Sequence, residues 1–179
     1  MKIFIQYDKI THKYNLREKC MIRTATIEDL KAIAEVEAIC FPPAEAASEE
    51  SFRSRLEAFA DHFWLLEEDG KLISFINGMV TDEMTIRDEM FADASLHKKD
   101  GAYQSIFGVN TLPEYRRQGK AAMVMNHVIE EARKQGRKGL ILTCKEEKIH
   151  YYAKFGYEFL GLSESVHGGA GWYDMILKL

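Results

Sequence analysis

Arg116-Arg117-Gln118-Gly119-Lys120-Ala121 is the segment whose residue types point most directly to chemistry. Ahead of it Tyr103 to Thr111 alternates faces as a strand does. Behind it Ala121, Val124, Met125, Val128, Ile129 and Ala132 share one face of a helix. A strand therefore passes through a short basic turn into a helix start. The first N–H groups of a helix lack intrahelical partners and lie at the positive end of its dipole, which suits an anion. Gly119 lets a phosphate approach with no Cβ in the way, and Arg116, Arg117 and Lys120 add positive charge. The chemistry implied is the holding of a pyrophosphate. Neither the Walker A spacing nor the G-x-G-x-x-G dinucleotide fingerprint is present.

Glu37 is the second candidate. Leu30, Ile33, Ala34, Ala38 and Phe41 form an apolar stripe on a predicted helix, with Glu37 in its middle and Glu35 pointing away. A carboxylate on a buried face is costly unless it is paired or has a task. It either serves a ligand, reaches solvent at the helix end, or pairs with a buried Arg. His12, His62, His97, His127, His150 and His167 show no metal-ligand spacing, so no metal is expected.

The elements that must position these residues follow from pattern and punctuation. A short strand at Met21-Ile22-Arg23 leads to Thr26, an N-cap with Glu28 and Asp29 in the first turn, and a helix to about Cys40, ended by Pro42-Pro43. Ser48 caps a second helix from Glu49 to about Ala60. Phe63 to Glu68 and Lys71 to Val80 are strands joined by a turn at Asp69-Gly70. Residues 82–99 read as a short helix and a mobile loop. After the central strand, basic turn and helix, Leu140 to Cys144 is a buried strand, and Glu146 to Phe155 a short helix stopped by Gly156. Tyr157 to Leu162 and Trp172 to Leu179 close the chain as strands. The order β-α-α-β-β-(α)-β-α-β-α-β-β predicts an α/β fold, a mixed central sheet with helices on both faces.

Composition bounds the reading. The 179 residues suit one domain, and 46% hydrophobic with 29% charged residues is globular usage. A net charge of −4 speaks against a nucleic-acid partner, although residues 116–120 are locally basic. Cys20, Cys40 and Cys144 are odd in number and widely spaced, which suggests reduced thiols and a cytoplasmic setting. No apolar run reaches the length of a membrane span, and the N-terminus lacks a signal-peptide core. Residues 1–20 differ from the rest: they read either as an extra strand or arm, or as an extension preceding a start at Met21.

Arg116, Gly119 and Ala121 satisfy the pattern R/Q-x-x-G-x-G/A, which resembles the acetyl-CoA loop of the GNAT superfamily of N-acetyltransferases. Tyr151-Tyr152-Ala153-Lys154-Phe155-Gly156-Tyr157 is similar to that family's F/Y-Y-x-x-x-G-F/Y segment. The resemblance covers about residues 21–179, and includes Glu35-Val36-Glu37 leading to Phe41. Its closest likeness is to the arylalkylamine N-acetyltransferase type.

The resemblance implies a partly splayed sheet, in which the strand before the basic loop leaves its neighbour. Backbone groups of Val109 and Thr111 would then bind the pantetheine arm, with the Val109 N–H on the acetyl carbonyl. Arg116, Arg117, Gln118, Gly119, Lys120 and Ala121 would hold the pyrophosphate. Tyr152 falls on the tyrosine that protonates the departing sulfur; the alternative is packing beside Phe155 and Tyr157, and Tyr151 competes for the role. Two histidines that help deprotonate the amine in the vertebrate enzymes are replaced here by Ser105 and Phe107. Glu37 is the substitute, binding the ammonium or relaying its proton, with His150 as a rival. Cys144 matches a family cysteine but reads as a buried thiol.

The function implied is an acetyl-CoA-dependent N-acetyltransferase acting by direct attack in a ternary complex. Phe41, Pro42, Pro43, Ala44, Trp172 and Tyr173 suit a small primary amine with an apolar or aromatic body, with Glu37 or Glu45 for its ammonium. The alternatives are a peptide or protein acetyltransferase and a non-catalytic acyl-CoA sensor. Acetyl-CoA and the amine are the expected partners, with no nucleic acid or membrane. A homodimer is left open.

Overall fold

The computed structural model describes residues 20–179. The reading of residues 1–20 as an extension falls, apart from Cys20, outside the described residues. Cys20 instead opens the first strand, β1 (Cys20–Thr24).

Local signals account for the first half. The Thr26 N–H donates to Asp29 Oδ2 (2.8 Å), closing a single 3-10 turn before α1 (Leu30–Cys40). Ser48 Oγ accepts from the Ser51 N–H (3.1 Å) at the start of α2 (Glu49–Phe59). The hairpin β2 (Phe63–Glu68) and β3 (Lys71–Asn77) follows, turning through Asp69 and Gly70 in left-handed conformations. The expected single strand to Val80 breaks at Gly78. A Cβ there would run into Ser105 O, so two backbones cross in contact and the chain resumes as β4 (Val80–Thr81). The short helix expected in residues 82–99 is α3 (Asp88–Ala92).

The run Tyr103 to Thr111 is two strands, not one. β5 (Tyr103–Ile106) pairs in parallel with β7 (Gly139–Cys144), whereas β6 (Gly108–Thr111) pairs antiparallel with β3. The Phe107 N–H donates to Asn77 O (2.8 Å) at the changeover. Alternation in the sequence continues across this point, because both halves are pleated and half-buried; periodicity does not register a change of partner. Then come α4 (Lys120–Lys134), α5 (Ile149–Ala153), β8 (Glu158–Leu162) and β9 (Tyr173–Lys178).

The strands form two sheets, β1-β2-β3-β6 and β4-β5-β7-β9-β8. They are joined through Phe107 and splay apart beyond it. Pleating sends alternate residues to opposite layers: Phe63 and Leu65 pack with α1 and α2, Trp64 and Leu66 with α4. Likewise Ile141 faces the first layer and Leu140 and Leu142 the second. On α1 the buried face is Leu30, Ile33, Val36 and Glu37, so Val36 lies within the stripe and Ala38 is exposed.

Candidate active site

The splay creates the site. Backbone N–H groups alternate sides along a strand, and the Leu112 N–H donates to Ile73 O on β3 (3.0 Å). Those of Thr111 and Val109 therefore face the other way, toward β7. β6 is the edge of its sheet, so this side has no strand partner among the described residues. A cavity of about 1140 Å³ opens there. It reaches from Arg116, Gly119, Lys120, Ala121, Tyr151 and Tyr152 at one end to Glu37, Arg55, Phe91 and Trp172 at the other.

At the first end the basic loop is tied down by its side chains. Arg116 Nε donates to Thr111 O (2.9 Å), and Gln118 Nε2 to Glu114 O (2.8 Å). Lys120 Nζ sits 2.9 Å from Glu68 Oε2 and 3.3 Å from Cys20 Sγ. Its ammonium is thus engaged by β1 and β2, and what it offers an anion is its N–H. Arg117 (φ 60°) and Gly119 (φ 77°) are both left-handed, which turns the chain into a concave nest of N–H groups. The first α4 bond runs from the Met123 N–H to Gly119 O, leaving the N–H groups of Lys120, Ala121 and Ala122 without an intrahelical acceptor. Its chain neighbours aside, no atom of the described residues lies within 4 Å of the point a Gly119 Cβ would occupy. The nest opens onto free space.

Tyr152 lines the cavity from α5, its ring edge-on to Tyr151 (5.2 Å) and Tyr157 (6.0 Å). Burial, with smaller contributions from Cys144 and Tyr151, pushes its phenol well above the ordinary value, so it carries its proton at neutral pH. Tyr151 also lines the cavity and packs edge-on against Phe155 (5.3 Å). Cys144 is buried, its thiol on Met175 Sδ (3.7 Å) and pushed up to about 11 chiefly by burial. That is an inert core thiol. His150 is exposed and does not line the cavity. Ser105 is fully buried, bonded through Oγ to Met79 O (2.8 Å).

Glu37 is 6% exposed and lines the cavity. Oε1 accepts from the Ala47 N–H (3.0 Å), while Oε2 is buried with no hydrogen-bond partner. Burial raises its pKa; the Ala47 N–H, the Asn110 side chain and the charges of Arg55 and His167 oppose that without overcoming it. Arg55 is too far away to form an ion pair. Glu45, the other carboxylate considered for an ammonium, is taken by Lys145 (2.7 Å).

The apolar wall differs from expectation. Phe41, Pro42 and Trp172 line the cavity, joined by Phe91 and Phe107, whose rings lie 4.9 Å apart. Pro43, Ala44 and Tyr173 do not line it; Tyr173 packs on Phe159 (5.9 Å). Arg55 was missed, although it interrupts the α2 stripe Phe52, Leu56, Phe59 just as Glu37 interrupts that of α1. Among the described residues, no group of three or more His, Cys, Asp or Glu could hold a metal, and no helix is long and apolar enough to cross a membrane.

Residues 30–157 match the model of the acetyltransferase (GNAT) family. The chain belongs to the GNAT acetyltransferase family. No curated protein matches it. Among solved structures it is similar to the loading GNATL domain of CurA from Lyngbya majuscula, at 15% identity and a TM-score of 0.76, covering 89% of this chain and 97% of that one. It is also similar to the GphF GNAT-like decarboxylase in complex with isobutyryl-CoA (20%, TM-score 0.76, 88% and 98% covered). A third is the ribosomal-protein-S18-alanine N-acetyltransferase from Escherichia coli (20%, TM-score 0.67, 89% and 93% covered). These likenesses establish the GNAT fold, with its splayed sheets between helical layers.

Proposed function

We propose that this GNAT acetyltransferase transfers the acetyl group of acetyl-CoA to a small primary amine with an apolar or aromatic body, as the arylalkylamine type does. The observation that carries the reading is that the unpaired edge of β6 and the N-terminus of α4 open onto one cavity. The nest from Arg116 to Ala121 suits the pyrophosphate, and the edge at Val109 and Thr111 suits the pantetheine arm. The Val109 N–H would hold the carbonyl oxygen as charge develops on it, a kind of contact typically worth about 3 kcal/mol.

The amine nitrogen attacks the carbonyl carbon directly. Glu37 Oε2, buried and unpartnered, accepts the ammonium proton, directly or through water. The C–S bond breaks and Tyr152 supplies a proton to the departing sulfur, which its raised pKa keeps available. The second proton of the attacking nitrogen passes to water, from which the phenol is restored. Of the two carboxylates considered for the ammonium, Glu37 is the available one because Glu45 is paired with Lys145. Phe41, Pro42, Phe91, Phe107 and Trp172 enclose an apolar body better than a polycation.

Thiol release from acetyl-CoA with a panel of amines and peptides tests the reading. Turnover with phenethylamine or tryptamine is expected. Binding of acetyl-CoA without turnover on any acceptor would mark a sensor, and turnover on peptides alone a peptide acetyltransferase.

A further inference from the structure

Arg55 is 5% exposed and lies in the cavity wall beyond Glu37. Its guanidinium is held between the rings of Phe52 (5.5 Å) and Phe107 (5.0 Å). Nη2 donates to Phe91 O (2.8 Å), and Nη1 makes only a long contact to Asn77 Oδ1 (3.4 Å). Nε is buried with no partner. A buried cation with one good hydrogen bond and no ion pair is costly unless something completes it. Burial alone pushes it down to about 10, so it remains charged at neutral pH.

Glu37 is in the mirror-image position, with Oε2 buried and unpartnered. Between the two lies a ring of amides. The point a Gly108 Cβ would occupy is 3.2 Å from Asn110 Nδ2, 3.4 Å from Asn77 Nδ2 and 3.9 Å from Glu37 Oε2. The Asn110 amide, whose side chain supports the Glu37 carboxylate, makes no other hydrogen bond among the described residues. One side of the well thus lacks a cation and the other lacks an anion, and the two side chains do not satisfy each other.

We propose that the acceptor is an α-amino acid with an apolar or aromatic side chain, its ammonium on Glu37 and its carboxylate on Arg55. This rests on the small-amine reading of the same site and narrows it. An α-amino acid carries opposite charges on two groups attached to one carbon, as the well presents opposite charges across Gly108. Phe107, next to Gly108, packs on Arg55, so the carboxylate would lie beyond the amine, away from the thioester. A peptide N-terminus has no carboxylate at that place, and an arylalkylamine leaves Arg55 unanswered.

The test is kcat/KM for L-phenylalanine, phenethylamine and L-phenylalaninamide, which share a body and differ in the carboxylate. L-Phenylalanine should exceed both by at least about tenfold, the least that a charge-assisted hydrogen bond supplies. Phenethylamine or the amide matching or beating it overturns the proposal while the small-amine reading stands. Failure of all three, with spermidine or a peptide turned over, overturns both. Arg55→Gln and Arg55→Lys should shrink the ratio of L-phenylalanine to phenethylamine about tenfold. The lysine variant keeps a buried cation if the glutamine variant does not fold, and an unchanged ratio in a folded variant overturns the proposal.

Discussion

Lys120 and Glu68 form an ion pair of 2.9 Å, their side chains 11% and 8% exposed, which ties the first residue of α4 to the end of β2. The charge at the mouth of the nest is therefore spent within the protein. Lys120→Ala should lower stability, because it removes one partner of the buried Glu68 carboxylate and unties α4 from β2. Thermal denaturation should show that loss, while calorimetry shows acetyl-CoA affinity changed less than tenfold. A large loss of affinity with unchanged stability would mean that Nζ serves the ligand.

Gly119→Glu should abolish tight acetyl-CoA binding. A side chain at φ 77° is strained by roughly 1–2 kcal/mol, and a carboxylate would stand where the nest is open. Calorimetry should give a Kd raised well beyond about tenfold. Unchanged affinity would remove the pyrophosphate assignment.

Tyr152→Phe should lower kcat by about 10²–10⁴-fold with little change in acetyl-CoA binding, the range expected of a lost general acid. Steady-state kinetics beside a binding isotherm separates the two. A kcat within about twofold of wild type would assign Tyr152 to packing and turn attention to Tyr151.

The pH profile should report Glu37. Burial raises its pKa, so the ionised base appears only above the usual carboxylate range, and kcat/KM should climb with pH along an acid limb displaced upward. Glu37→Gln should depress kcat/KM and remove that limb. An acid limb that survives the substitution would belong to another group.

Stability should also depend on pH through a pair away from the cavity. His97 accepts from the Val80 N–H at Nδ1 (3.1 Å), stacks on Phe59 (5.0 Å) and lies 5.2 Å from His62. Burial, with smaller help from His62, lowers its pKa from 6.5 to about 4. The unfolded chain takes up a proton below pH 6.5 and the native ring resists until about 4, so stability is full above 6.5 and falls between those values. The full shift is worth about 3 kcal/mol, and solvent screening of the half-exposed ring brings the expected loss to on the order of 2 kcal/mol. Melting His97→Gln alongside wild type from pH 7 to 4 checks it: the variant should show a shallower decline.

Local signals were readable where the chemistry is local. Thr26, Ser48, Asp69-Gly70 and Gly119 each mark a cap or turn through their own backbone, and the structure places each at one. Long-range partnership was not. Nothing around Phe107 announces that Ile106 and Gly108 join different sheets, since that depends on β3 and β7 arriving from elsewhere. Lys120 and Glu45 read as free charges because their partners, Glu68 and Lys145, are distant in sequence. Glu37 was legible from its place on an apolar face, and Arg55 offered the same sign on α2.

The open edge of β6 has a consequence for how this chain can change. A surface made of peptide groups is the same whatever side chains the strand carries, provided the strand stays where it is. Substitution at Val109 or Thr111 that preserves the strand leaves the offered N–H groups in place. The acceptor well is different: Phe41, Arg55, Phe91 and Trp172 meet their ligand through atoms that a single codon replaces. One wall of the cavity is thus nearly immune to drift and the other fully exposed to it. Divergence to 15–20% identity with the shape retained is what such a division permits. Changes of acceptor should accumulate on α1, α2 and the loop before β9, and leave the donor side untouched.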